Sequence, residues 1–228
     1  MRMPEIECTL SRCFLCTHCI PEWKAAVAVK KKTLLFHKGQ TIFTEGDEVK
    51  GIYFVYSGVV KISKQWGAEK ELLLRFAKEG DVVGFRGLGE ESIYPISATA
   101  LTETTLCYIP NDFFEATLRT NNSFTYQLLQ VYAAELQRAE KRMRDLAHRD
   151  VKGRIAIALL ELIDLFGLDK ENFIALPVNR QDIASFAGTT YETVFKFFGE
   201  LSQAGIITTE GKKIQVNQPD ALQEFIKM

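Results

Sequence analysis

The stretch CTLSRCFLCTHCIP crowds Cys8, Cys13, Cys16 and Cys19 into the first twenty residues of a 228-residue chain, and Cys107 is the one cysteine that follows. Thiols spaced this way could serve four chemistries: disulfide bonding, zinc ligation, an iron–sulfur cluster, or dithiol exchange at a C-x2-C pair. Five is an odd number for disulfides, and CFLC lacks the βαβ surroundings of a thioredoxin-like exchange site. Zinc asks for tetrahedral sulfur and nitrogen ligands, which the same thiols could supply, with Cys8 or His18 in reserve. The tight C-x2-C-x2-C run over Cys13, Cys16 and Cys19 would let three thiolates cap one face of a cluster. An inert reading competes with these, because Cys107 sits in the apolar run TTLCYIP, where a thiol packs as a small core residue. His37 and His148 read as surface or turn residues, and Lys30, Lys31 and Lys32 as a solvated face. No firm axial-ligand signature for heme and no nucleophile–base arrangement is visible, so the chain does not read as an enzyme.

The second group with chemical reach is Tyr191, Glu192, Thr193 and Lys196, whose spacing places them together on one helix. Side chains of these types can reach base edges in a DNA groove. Two helical patterns flank a short glycine-bearing turn here. RQDIASFAG ends at Gly188, and TTYETVFKFFGELSQAG begins at a threonine cap. That is a helix-turn-helix pattern, and the strand–turn–strand pattern around Glu210 and Gly211 reads as its wing.

These groups need elements to hold them. Residues 33–110 read as short strands divided by Gly39, Gly46, Gly51 and Gly58, with TIF, IYFVY and VVKIS between the turns. Regular short strands with glycine turns predict an antiparallel sandwich or barrel. From 123 to 148 neither Gly nor Pro occurs, and Leu129, Tyr132, Leu136, Ala139, Met143 and Leu146 step by threes and fours. Two readings of that stripe stand: an amphipathic helix packed on its own domain, or a coiled-coil dimer seam flanked by charge. RIAIALLELIDLFG follows as another helix, stopped at Gly167. The expected fold class is α+β, divided as a cysteine-rich segment (1–22), an all-β domain (23–122), a long helix (123–149) and a winged helix-turn-helix (150–228).

Hydrophobic residues make up 46% and charged residues 25% of the chain, the balance of a soluble globular protein. No apolar run approaches a membrane span, and no signal-peptide core is visible, so a cytoplasmic location without membrane partners is expected. That compartment disfavours disulfides. The net charge of −1 gives no hint of nucleic acid, so local motifs must carry that case.

KGQTIFTEGDEVKGIYFVYSGVVKI and RQDIASFAGTTYETVFKFF resemble the β-roll opening and the DNA-binding motif of the Crp/Fnr family of transcription regulators. The likeness runs along nearly the whole chain. It implies a cyclic-nucleotide-binding-like β-roll, a long dimerisation helix, a winged helix-turn-helix, a homodimer on double-stranded DNA, and RNA polymerase as a partner. In cyclic-AMP-binding members a Gly-Glu pair holds the ribose, and an arginine about ten residues later pairs with the phosphate. The matching segment here is GFRGLGEESIYPISATA: Phe85 follows Gly84 where Glu would sit, Pro95 and Ile96 stand near the arginine position, and Arg86 is out of place. Cyclic AMP is therefore not expected.

GDVVGF, TTLCYIP and the CIP ending at Cys19 are closer to the oxygen-sensing branch, whose cluster takes three N-terminal cysteines and one at the position of Cys107. The resemblance thus implies a 4Fe–4S site on Cys13, Cys16, Cys19 and Cys107. The spacing departs from that branch, whose gap before the third ligand is longer. Zinc, or another effector in the β-roll with structural cysteines, stays as the alternative. In the helix-turn-helix, the likeness puts Arg180 and Gln181 on phosphates. It puts Thr189, Thr190, Tyr191, Glu192, Thr193 and Lys196 at the start of the reading helix. Glu192 occupies the family's glutamate position, suited to a cytosine amino group, and Lys196 replaces its usual arginine. A ligand-sensing module without DNA function is the competing class, since folds of this kind also serve protein contacts.

Overall fold

The computed structural model describes residues 13–66, 70–176 and 178–227; Cys8 lies outside them. The chain divides into two compact units, the first ending at Glu135 and the second beginning at Leu136. The fold is α+β, as a run of short strands followed by a run of helical patterns predicts.

The first unit opens with α1 (Phe14–His18) and α2 (Lys24–Lys30), followed by β1 (Lys32–Phe36), β2 (Thr41–Phe43), β3 (Gly51–Ser57) and β4 (Val60–Trp66). Then come β5 (Lys70–Ala77), β6 (Val82–Val83), β7 (Ser97–Ala100) and β8 (Thr104–Pro110). They build two antiparallel sheets, ordered β1-β8-β3-β6 and β2-β7-β4-β5. β3 is buried along its first five residues, which is why GIYFVYS reads as a continuous apolar run. The β3–β4 turn needs glycine twice over. Gly58 has φ +87°, and a Cβ there would stand 2.4 Å from the Glu103 carbonyl oxygen. Cys107 lies mid-sheet on β8, opposite Thr33 on one side and Phe54 on the other.

α3 (Asn111–Thr120) and α4 (Asn122–His148) follow. Phe114 of α3 and Phe124 of α4 are fully buried and share one core with Leu15, Cys13 and Cys16. Within the segment set apart in sequence as 1–22, Cys13, Leu15, Cys16 and Cys19 are thus buried in the β domain's core, while Thr17 and residues 20–22 stay exposed. Absence of Gly and Pro lets α4 run 27 residues, through the division between the two units.

In the second unit, α5 (Val151–Phe166) is capped by Asp150, which accepts from the Gly153 N–H at 2.7 Å, and ends at Gly167. α6 (Arg180–Ala187) and α7 (Tyr191–Gln203) form the helix-turn-helix. Asn179 caps α6 by accepting from the Asp182 N–H at 2.7 Å. Gly188 then turns the chain left-handed at φ +63°, where a Cβ would meet Leu146 at 2.7 Å. Thr190 caps α7, its hydroxyl accepting from the Thr193 N–H at 3.3 Å. α7 buries Val194, Phe197, Phe198 and Leu201, the spacing of one helix face. β9 (Ile207–Glu210) and β10 (Lys213–Val216) make the wing, and α8 (Pro219–Lys227) seats Phe225 edge-on against Phe197 at 5.1 Å. Among the described residues, no helix is long and apolar enough to cross a membrane.

Candidate functional site

Four cysteines are buried and form no disulfide: Cys13, Cys16 and Cys19 around α1, and Cys107 on β8. α1 is short, and its main chain ends by a Cys19 N–H to Leu15 carbonyl bond of 2.9 Å, which folds the C-x2-C-x2-C run into one turn. Thiol contacts from Cys107, then from Cys16, hold the Cys13 thiol far below the usual thiol range, against the opposing pull of burial. Burial pushes Cys19 up to about 11, and the charge on Cys13 adds to that. Lys24 and Asn121 pull the other way. Asn121 is 1% exposed, and its Nδ2 has no partner that meets hydrogen-bond geometry, yet it stands near enough to the Cys19 sulfur to favour the thiolate. Among the described residues, no three His, Cys, Asp or Glu side chains are grouped in metal-holding positions as they stand. His18 lies tilted against the Phe14 ring, 4.6 Å between centroids.

The structure adds an ion cluster that sequence spacing did not reveal. Glu135 of α4, 6% exposed, accepts from Arg86 and pairs with Arg75 of β5 at 3.4 Å. Arg75 also reaches Asp81 at 3.6 Å and donates to the Val82 carbonyl at 2.8 Å. Arg86 therefore anchors α4 to the β domain. Phe85 is buried at 1%, and its carbonyl accepts from the Tyr132 hydroxyl.

Two residues of the stripe also have partners within their own units. Tyr132 lays its ring edge-on to Phe85 at 4.8 Å, and Leu146 is half-buried beside Gly188, so both face their own units. Heptad spacing alone could not see those competing pockets. Leu129, Leu136 and Met143, seven residues apart, are 59%, 61% and 61% exposed, and Ala139 is exposed too. Tyr126 adds a further exposed ring.

On α7 the outward face carries Tyr191, Glu192, Phe195 and Lys196, all exposed. The Glu192 carboxylate rests on the helix start, where its own backbone N–H and the Thr190 hydroxyl hold it below the usual carboxylate range. Thr193 and Thr189 are half-buried in the turn, Thr189 donating its N–H to the Ala184 carbonyl at 2.9 Å. The Arg180 guanidinium lies 5.7 Å over the Phe198 ring, and Gln181 is exposed beside it. A cleft of about 200 Å³ opens between Arg180, Gln181 and Tyr191 on one side and Gly211 and Lys212 of the wing turn on the other. Lys212 joins the set only through the fold; in sequence it is one lysine of EGKK. Cations around such a cleft suit phosphate, and the polar face of α7 suits base edges.

Known proteins match both parts of the chain. Residues 33–121 match a cyclic nucleotide-binding domain and residues 153–225 a Crp-like helix-turn-helix domain. The CRP-like cAMP-activated global transcriptional regulator of Mycobacterium tuberculosis is 28% identical over 89% of this chain and 91% of its own length. The global nitrogen regulator of a Synechocystis species is 31% identical over 83% of this chain and 86% of its own. The structure of FixK2 from Bradyrhizobium japonicum superposes with a TM-score of 0.75 at 25% identity, covering 86% of this chain and 96% of that one. Relatives named for different signals match at nearly equal identity, so likeness assigns the family and the site residues must choose the signal. The chain is a DNA-binding transcription regulator of the Crp/Fnr family.

Proposed function

We propose that this regulator senses a redox or gas signal through Cys13, Cys16, Cys19 and Cys107, and that a homodimer formed along α4 carries the signal to DNA. The observation behind it is that four thiols from two distant segments of the chain, none of them in a disulfide, are buried in one core, with Cys13 against both Cys16 and Cys107. Their donor chemistry fits a 4Fe–4S cluster once the thiols deprotonate and turn towards it. Buried cysteines that form no disulfide also suit a reducing, cytoplasmic compartment. When bound, the cluster would supply iron that oxygen can oxidise.

The chain's own side chains give the signal a route within the first unit. Phe14, next to Cys13, packs on Phe124 of α4 at 5.6 Å and on Phe54 of β3 at 6.5 Å. A change in how α1 holds its thiols would shift the first turns of the helix that carries the exposed Leu129, Leu136 and Met143. A second copy of the chain covers that stripe in this reading, and RNA polymerase is the partner that family membership implies. Cyclic AMP is not the effector, since Phe85 cannot accept from ribose hydroxyls and Arg86 is already committed to Glu135. Protein purified without oxygen is expected to be brown, with absorption that bleaches in air. A colourless, iron-free anaerobic sample with full DNA affinity would overturn the reading.

A further inference from the structure

Two aromatic rings stand where a reading helix would ordinarily carry polar side chains. Tyr191 is 42% and Phe195 58% exposed, and their rings stack 6.2 Å apart at an angle of 22°. They are one helical turn apart, on the same outward face as Glu192 and Lys196, while Val194, Phe197 and Phe198 hold the opposite face in the core. Large exposed apolar groups mark contact surfaces. This one is continuous with the base-reading face of a Crp-like helix-turn-helix, so duplex DNA is its occupant.

We infer that Tyr191 and Phe195 form an apolar edge that selects thymine through its C5-methyl group. In the major groove thymine shows an O4 acceptor and a methyl, and no other base offers a comparable apolar contact. Phe195 has no donor or acceptor, so it cannot satisfy guanine or adenine edges and leaves them desolvated. The Tyr191 ring restrains the Phe195 ring before DNA arrives, which lowers the entropy lost on contact. Each half-site would then hold a G·C pair read by Glu192 and a thymine read by the aromatic pair, close to one another on the same groove wall.

The inference rests on α7 being the helix that reads the duplex, and the experiment separates the two. Full-length wild type and Phe195→Ala are used to select from random duplexes under anaerobic conditions. Each thymine of the enriched site is then replaced by deoxyuridine, which removes only the methyl. Wild type is expected to enrich a symmetric thymine and to lose about fourfold in affinity per half-site when that methyl is removed, the effect of burying one such group. Phe195→Ala should lose the preference and become indifferent to the methyl, whereas Tyr191→Phe, which keeps both rings, should retain it. An enriched site in which no thymine methyl matters, or the same sensitivity in Phe195→Ala, overturns the inference while leaving α7 as the reader. A wild type that enriches no sequence overturns both.

Discussion

The two units place their functional side chains in opposite ways. The first hides them: four thiols lie inside the core, and Glu135 is buried between two arginines. The second displays them: Leu136 and Met143 on α4, and Tyr191, Glu192, Phe195 and Lys196 on α7, stand exposed on a folded chain. Buried polar groups and exposed apolar ones are the informative exceptions to ordinary burial. Buried thiols point to chemistry that excludes water, and exposed rings and leucines to a macromolecular partner. A regulator needs both: the thiols lie in the first unit and the displayed rings of α7 in the second, while the exposed stripe of α4, from Leu129 to Met143, runs through both.

The comparison breaks most sharply at the seam. Leu136→Asp leaves the folded chain intact, because the side chain is exposed in it, but places an unpaired carboxylate at the centre of a dimer. The expected cost to association is about 3–5 kcal/mol, read as monomer in sedimentation equilibrium with unchanged thermal unfolding of the chain. A variant that stays dimeric would show that another surface joins the copies.

On α7, Glu192→Ala is expected to cost about 1–3 kcal/mol in site-specific DNA affinity and to relax choice at one symmetric G·C pair. The free protein holds this carboxylate at the helix start, so reading a cytosine amino group requires it to turn away from Thr190. Selection from random duplexes decides between the roles. Unchanged preference would leave Glu192 as a helix-start residue only. Thr190→Ala removes the cap itself and should lower the unfolding free energy by about 1 kcal/mol in urea titration, with base preference kept.

How far the sequence carried these assignments depended on whether the cause was local. The α6 and α7 boundaries were legible because Asn179, Gly188 and Thr190 act within four residues of themselves. Strands β2 to β4 were legible because their turns are glycines between apolar runs. The α4 stripe was legible as a heptad, but the partners of Tyr132 and Leu146 within their own units, Phe85 and Gly188, come from distant sequence. Arg86 was set aside as misplaced, yet it holds Glu135, a pairing that only folding reveals. Lys212, and the exposure of Phe195, were hidden for the same reason. Nothing local marks an apolar residue as exposed or a wing lysine as neighbouring α6.

The smallest expected effect is none. Cyclic AMP at millimolar concentration should leave DNA affinity unchanged, since Phe85 is buried and Arg86 already has its carboxylate. Saturable binding in calorimetry, coupled to tighter DNA binding, would place the signal in the β-roll and leave the thiols structural.

The central claim, that buried thiols govern DNA binding, is tested most directly by assaying iron, acid-labile sulfide and operator affinity together. The samples are anaerobic wild type, the same protein after air, and Cys107→Ala. The account predicts iron and sulfide in equal amounts in the first sample, their loss in the other two, and a parallel fall in operator affinity. Zinc in place of iron, or operator affinity indifferent to air and to Cys107→Ala, would contradict it.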